Sequence, residues 1–187
     1  EGGTIVAEEG YVAKDLDFNA ILTSIKGKNF DVIFIPGYYQ EAGLIIKQAR
    51  ALGITAPILG ADGFDSPTLL ELAGAEALND VYFSNHYSSL DQDPAVLKFI
   101  EGFKAKYNSE PNAFHALGYD LGMFIADAVK RAGSADPAAV KDALAGTTEF
   151  AGVTGSFSMG EDHNPVKSVV VIELADGVQA ASIKVGP

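Results

Sequence analysis

The first half of the chain alternates two kinds of apolar pattern. Phe18, Ile21, Leu22 and Ile25 recur at helical spacing behind Asp17, a residue type that caps helices, and Gly27 closes the segment. Phe30–Ile35 (FDVIFI) is an apolar run of the kind found in buried parallel strands. Glu41–Leu52 predicts a second amphipathic helix, stopped by Gly53, and Pro57–Gly60 a short buried strand. Ser66-Pro67 is a strong helix start, with a capping residue followed by Pro at the first helical position, and the helix runs to about Ala73. Asp80–Ser84 follows as a third strand. Glu1-Gly2-Gly3-Thr4-Ile5-Val6 reads as a strand entered from a turn, so the chain is expected to begin inside a fold. Strands and helices at this spacing predict an α/β unit, with a parallel sheet covered by helices on both faces.

The pattern changes after His86. His86–Asp93 is polar and turn-rich. Asp93-Pro94 opens a helix with Val96, Ile100, Phe103 and Tyr107 on one face. A long helix over Ala113–Ala132 carries Phe114, Leu117, Leu121, Ile125 and Val129, and Asp136-Pro137 opens another that ends near Gly146. Residues 86–150 offer these helices no sheet to cover. Short strands follow around Gly155–Met159, Ser168–Leu174 and Gln179–Val185, the last two joined by an Asp176-Gly177 turn. Ser84–Ser89 reads as a crossing between two lobes; one domain with a long loop is the alternative.

Composition narrows the function. The 187 residues are 48% hydrophobic, enough for a packed core, and no apolar run approaches the roughly 20 residues of a membrane-spanning helix. Twenty-five acidic against 13 basic residues give a net charge of -12, which repels phosphate backbones and argues against nucleic acid as a partner. The absence of cysteine excludes disulfides, thiolate metal sites and cysteine nucleophiles. His86, His115 and His163 are scattered, none with a second ligand at metal spacing, and Glu161-Asp162-His163 reads as a solvated turn. Asp15/Asp17 and Asp91/Asp93 read as loop and capping residues. With no G-x-S-x-G, phosphate loop or G-x-G-x-x-G, neither a cofactor nor a catalytic role is expected.

Five segments, in order, resemble the leucine/isoleucine/valine-binding protein family: DFNAILTSIKGKNFDVIFIPGYYQEAGLIIKQARALGI (17–54), APILGADGFDSPTLLELAG (56–74), VYFSNHYS (81–88), EPNAFHALGYD (110–120) and GVTGSFSMGEDHNPVKSVVVIEL (152–174). The resemblance runs over nearly all of this chain and covers the C-terminal part of a family member, roughly half. It implies a type I periplasmic-binding-protein fold, two α/β lobes joined by three crossings, with the ligand between them. On that mapping residues 1–85 and 160–187 belong to the second lobe. Residues 86–159 hold the hinge crossing and the helices returning to a first lobe whose sheet is missing. The implied role is the extracytoplasmic solute-binding component of an ABC transporter, in the periplasm or lipid-anchored, which captures a branched-chain or related aliphatic amino acid and delivers it to a membrane permease. A sensory receptor domain, or a site for an amide or aromatic acid, are the alternatives; a small enzyme using Asp62 as acid or base is a third. The apolar helix faces at 94–146 imply a dimer or exchanged assembly if the chain exists alone.

Binding a free amino acid needs an acceptor for the ammonium, donors for the carboxylate and an apolar pocket. Ligands in open α/β sheets sit outside the carboxyl ends of strands. The run Phe30–Ile35 ends at Pro36-Gly37-Tyr38-Tyr39, and Pro57–Gly60 ends at Ala61-Asp62-Gly63-Phe64. If the two strands are neighbours, Tyr38 and Asp62 emerge at one edge. The resemblance implies that Tyr38, or the adjacent Tyr39, and Asp62 contact the ligand's amino group. Read from the residues alone, Asp62 is a turn residue before Gly63 and Tyr38 a packed loop aromatic. Phe64 walls the pocket or packs beneath the loop. Phe114 and Tyr119 stand near the cleft in the family pattern, but their helical spacing also fits a core. The family's carboxylate-binding residues lie upstream of this chain's segment, so no residue here takes that role.

Overall fold

The computed structural model describes residues 2–186; Glu1 and Pro187 lie outside the described residues. The chain divides into two compact units. Glu1–Ser84 with Ile172–Ala181 form unit 1, and Asn85–Val171 with Ser182–Pro187 form unit 2.

Unit 1 carries α1 (Asn19–Lys26), β1 (Ile33–Ile35), α2 (Tyr39–Ala51), β2 (Ile58–Gly60), α3 (Pro67–Ala73) and β3 (Val81–Asn85). The three strands are parallel neighbours in the order β1-β2-β3, with Ile33 paired to Ile58 and Ile58 to Val81. The strands β7 (Val169–Ala175) and β8 (Val178–Val185) complete a five-stranded sheet on the far side of β3. Asp176 and Gly177 join them with φ of 49° and 78°, the paired positive values that a two-residue type I′ turn requires. This turn is where the Asp-Gly pattern placed it.

Side chains alternate across the short strands, and only one set is covered. Ile35, Ile58, Val81 and Phe83 are buried with Ala42, Ile45, Ile46 and Ala49 of α2 and with Leu69 and Ala73 of α3. Helices α2 and α3 meet at Gly43, where a Cβ would stand 2.9 Å from Leu72 Cβ and 3.3 Å from the Leu69 carbonyl oxygen. On the opposite face Phe34 pairs in register with Leu59, and Leu59 with Tyr82; Phe34 is 62% exposed and Leu59 is exposed too. The expected helical cover on both faces is therefore realised on one, and neither the 30–35 nor the 57–60 run is buried throughout. Both strands are also shorter than expected, because only three residues of each pair with a neighbour.

Two more expectations change for non-local reasons. Residues 2–12 form no strand, and Ile5 is 81% exposed. β1 stays the edge of its sheet, and Thr4–Val6 do not pair with its open side among the described residues. Asp17 stands one residue ahead of the true N-cap, Phe18, which makes no side-chain cap. The Asp17 carboxylate accepts the Asn19 backbone and side-chain N–H groups instead, at 2.9 and 2.7 Å. Phe18 is fixed from elsewhere. Its ring is buried edge-on to Tyr11 at 5.6 Å, and its N–H donates to Gln48 Oε1 at 2.7 Å, while Gln48 Nε2 donates to the Leu16 carbonyl at 2.9 Å. Near the end of α2, Arg50 donates to the carbonyls of Ile54, Ala56 and Asn79 at 2.8–3.0 Å, gathering the loops that enter β2 and β3. Burial lowers its pKa, with Asp80 acting in the other direction.

Unit 2 contains α4 (Pro94–Tyr107), α5 (Ala113–Ala132) and α6 (Pro137–Ala145), followed by β4 (Phe150–Gly152), β5 (Gly155–Met159) and β6 (Pro165–Val166). Asp93 and Asp136 cap the Pro-initiated helices by accepting N–H groups of the first turn. Asn112 and His115 form a reciprocal capping box, and Gly133 ends α5 with φ 62°. The core gathers Tyr87, Val96, Phe99, Ala113 and Ala116, with Ile100, Phe103 and Val153 against it. Phe99, not Tyr107, completes the buried stripe of α4; Tyr107 is exposed. Residues 86–150 are not wholly strand-free, because β4 begins at Phe150 and pairs antiparallel with β5, which pairs with β6. Phe124, Phe150 and Phe157 form a ring triad with centroids 5.1–5.2 Å apart.

One buried carboxylate holds this small sheet to α5. Asp120 accepts the backbone N–H of Val153 and of Thr154, each at 2.8 Å, and Gly152 leaves it room, since a Cβ there would strike the carboxylate. Lys167 donates to the Thr154 carbonyl at 2.6 Å and to its hydroxyl at 2.8 Å. Burial depresses the Lys167 pKa, with Asp120 opposing and Lys184 adding to the depression. Replacing Asp120 by Asn turns one acceptor into a donor facing a backbone N–H. The expected cost is about 2 kcal/mol, seen as a Tm fall of roughly 4–8 °C in calorimetry. An unchanged Tm would mean that the carboxylate does not hold the turn.

Candidate ligand-binding site

β1 and β2 are parallel neighbours with Ile35 opposite Gly60, so their carboxyl ends open at one edge of the unit 1 sheet. From that edge the chain runs through Pro36-Gly37 into Tyr38, and through Ala61 into Asp62. Tyr38 is the N-cap of α2, with extended backbone (φ -96°, ψ 161°), and its carbonyl accepts the Ala42 N–H at 3.0 Å. Tyr38 is 60% exposed. Tyr39 is the first residue of α2 and is half-buried. Asp62 begins a single 3₁₀ turn, Asp62–Phe64, and is half-buried. The turn closes with the Asp65 N–H donating to the Asp62 carbonyl at 3.2 Å.

Two glycines let these loops touch. A Cβ on Gly63 would stand 2.7 Å from the Gly37 carbonyl oxygen and 3.1–3.2 Å from Tyr38. The residue after Asp62 therefore lies directly against the Gly37-Tyr38 peptide. Gly60 leaves space for the Phe64 ring, which covers its Cα. Phe64 is 1% exposed and lies tilted on Phe83, 5.9 Å between centroids. It supports the Asp62 loop from below and presents no surface to a ligand.

Tyr11 joins this edge without a sequence pattern that marks it. Its hydroxyl lies against Gly37, on a strand-free segment whose Lys14 N–H donates to Glu41 Oε1 at 2.7 Å. Burial, and then the charge of Glu41, raise the Tyr11 pKa. No spacing rule joins residue 11 to residue 37; the one signal in the sequence is a lone aromatic in the polar stretch Glu8-Glu9-Gly10-Tyr11.

The edge thus brings together an aspartate, a tyrosine and the closely approached Gly37-Tyr38 peptide. Asp62 is an acceptor suited to an ammonium, and Tyr38 offers both an apolar ring and a hydroxyl. Phe114 and Tyr119 belong to α5 of unit 2, and both are partly exposed. Tyr119 packs on Phe99 at 5.2 Å and lines, with Phe103, Tyr107 and Met123, an open groove of about 880 Å³. Among the described residues no three histidine or carboxylate side chains gather as a metal site, and no helix is long and apolar enough to cross a membrane.

The family described as periplasmic binding protein matches residues 1–179. The leucine-, isoleucine-, valine-, threonine-, and alanine-binding protein of Pseudomonas aeruginosa is 31% identical over 161 residues, 86% of this chain and 42% of the relative. The branched-chain amino acid transporter substrate binding protein LivJ of Streptococcus pneumoniae, solved in complex with isoleucine, is 42% identical with a TM-score of 0.86, over 95% of this chain and 51% of that one. The leucine binding protein LivK of Thermotoga maritima is 39% identical with a TM-score of 0.87, over the same shares. This chain spans about half the length of the proteins it matches. The match across residues 1–179, together with an α/β fold shared with these solved structures, places the chain in the periplasmic binding protein family, among relatives of the leucine/isoleucine/valine-binding proteins.

Proposed function

We propose that this protein is the extracytoplasmic solute-binding component of an ABC transporter. It takes up a branched-chain or related aliphatic amino acid and presents it to a membrane permease. The observation that supports this most directly is the emergence of Tyr38 and Asp62 at the shared carboxyl edge of β1 and β2, where ligands of open α/β sheets are held. Asp62 accepts the ligand ammonium, and the Tyr38 ring and hydroxyl lie alongside. The relatives named above, which bind leucine, isoleucine or valine by their own descriptions, give the ligand class. In this reading residues 1–85 and 160–187 form the ligand-binding second lobe, and residues 86–159 return to a first lobe that supplies the carboxylate donors. Closure follows from ligand contacts made on both lobes.

Calorimetric titration of the protein at its full natural length with Leu, Ile, Val, Ala, Phe and Glu tests the reading. Tight binding of the aliphatic set is expected. Asp62→Ala removes a charge-assisted hydrogen bond of about 1.5–3 kcal/mol, a loss of roughly 10- to 100-fold in affinity. Binding confined to other solutes, or aliphatic binding untouched by Asp62→Ala, would contradict it.

The exposed apolar residues of unit 2 support a second expectation. Phe114, Leu121 and Ile125, at helical spacing along one face of α5, are all exposed. Contiguous apolar faces of this kind favour association. The 187-residue chain by itself is expected to run as a dimer or exchanged assembly in multi-angle light scattering. A monodisperse monomer would refute this.

A further inference from the structure

We propose that Tyr11 is a positioning residue of the binding edge: its hydroxyl fixes the seat of the Gly37-Tyr38 peptide and thereby the place of the Tyr38 ring beside Asp62. The proposal rests on the ligand role given above to Tyr38 and Asp62.

Gly37 is held between two neighbours. On one side a Cβ at position 37 would land on the Tyr11 hydroxyl, with Tyr11 Cζ 3.5 Å away. On the other side the Gly37 carbonyl oxygen stands 2.7 Å from where a Cβ of Gly63 would be. Gly37 is not among the glycines with positive φ, so it is space and not backbone conformation that requires glycine there. Tyr38 follows it directly, as the N-cap of α2. Any displacement of the Gly37 peptide therefore moves the Tyr38 ring relative to the Asp62-Gly63 turn.

Tyr11 is itself well anchored. Its ring stands edge-on to the buried Phe18, at 87° between planes. A tight turn follows it, with the Val12 N–H donating to Asp15 Oδ2 at 2.8 Å and the Asp15 N–H to the Val12 carbonyl at 3.0 Å. The Lys14 N–H then donates to Glu41, in the first turn of the helix that Tyr38 caps. The segment carrying Tyr11 and the helix carrying Tyr38 are thus tied at two points, Gly37 and Glu41. Burial and the Glu41 charge raise the phenol pKa, so the hydroxyl is a neutral group throughout the pH range of a binding assay.

The contact suggests a suppression test. Gly37→Ala collides with the Tyr11 hydroxyl; Tyr11→Phe removes that oxygen and leaves Cζ at ordinary contact distance. Wild type, Gly37→Ala, Tyr11→Phe and the double variant are made in the protein at its full natural length, and leucine affinity and Tm are read on each. Tyr11→Phe, which removes the oxygen that seats Gly37, is expected to weaken leucine binding about threefold, and wild-type affinity in that variant overturns the proposal. Gly37→Ala is expected to weaken it about tenfold, equivalent to about 1.4 kcal/mol, and the double variant, in which the added methyl fills the space the oxygen leaves, to regain most of that loss. Gly63→Ala is the control. Its clash is with the Gly37 carbonyl and Tyr38, so Tyr11→Phe is expected to give it no relief. Should Gly37→Ala fail to fold, folding and binding of the double variant support the proposal, and failure of both proteins overturns it. Wild-type affinity in Gly37→Ala, or an equal loss in both backgrounds, overturns it as well. If the wild type binds no aliphatic amino acid, the ligand reading falls by itself, and the Tm values decide the contact: rescue of Gly37→Ala by Tyr11→Phe supports it and additive losses overturn it.

Discussion

The arrangement depends on the parallel pairing of β1 with β2. That register, Ile35 opposite Gly60, places two loops from distant parts of the sequence at one edge. Parallel strands need a covered crossover, and α2 provides it, packing Ala42, Ile46 and Ala49 into the core. The crossover begins at Tyr38, so the residue that caps the helix is also the residue that stands at the edge. Fold and candidate site share one short stretch of backbone.

Close approach at that edge is a matter of volume. Gly37, Gly60 and Gly63 each face a neighbour that would meet a Cβ: Tyr11, Phe64 and the Gly37 peptide respectively. Phe64 is drawn under the loop by the space over Gly60 and by Phe83. The loop bearing Asp62 thereby rests on packed aromatic rings, which limits how far its carboxylate can move. Unit 2 uses the same device. Gly152 makes room for the Asp120 carboxylate, which holds the Val153-Thr154 turn through two backbone hydrogen bonds.

What the sequence revealed was local chemistry. Ser66-Pro67, Asp93-Pro94 and Asp136-Pro137 start helices because cap and proline act within a few residues, and α5 spans Ala113–Ala132 as its periodicity indicates. Asp176-Gly177 makes its turn for the same reason. The departures lie where a distant partner decides. Among the described residues, Thr4–Val6 have strand composition and pair with no strand, and Phe34 has core composition and is 62% exposed. Gln48 takes over the start of α1 from Asp17 through contacts thirty residues apart. At the edge, Tyr38 and Asp62 are linked in the sequence because both follow strands, whereas Tyr11 follows none, and Phe64 fits two roles that only packing separates.

The central claim is that the Tyr38/Asp62 edge holds the ammonium of an aliphatic amino acid. A crystal structure of the protein at its full natural length, grown with leucine, tests it most directly. The account predicts the ligand nitrogen within about 3 Å of an Asp62 carboxylate oxygen, with the Tyr38 ring alongside. Leucine bound elsewhere, or bound here with its carboxylate toward Asp62, would contradict it.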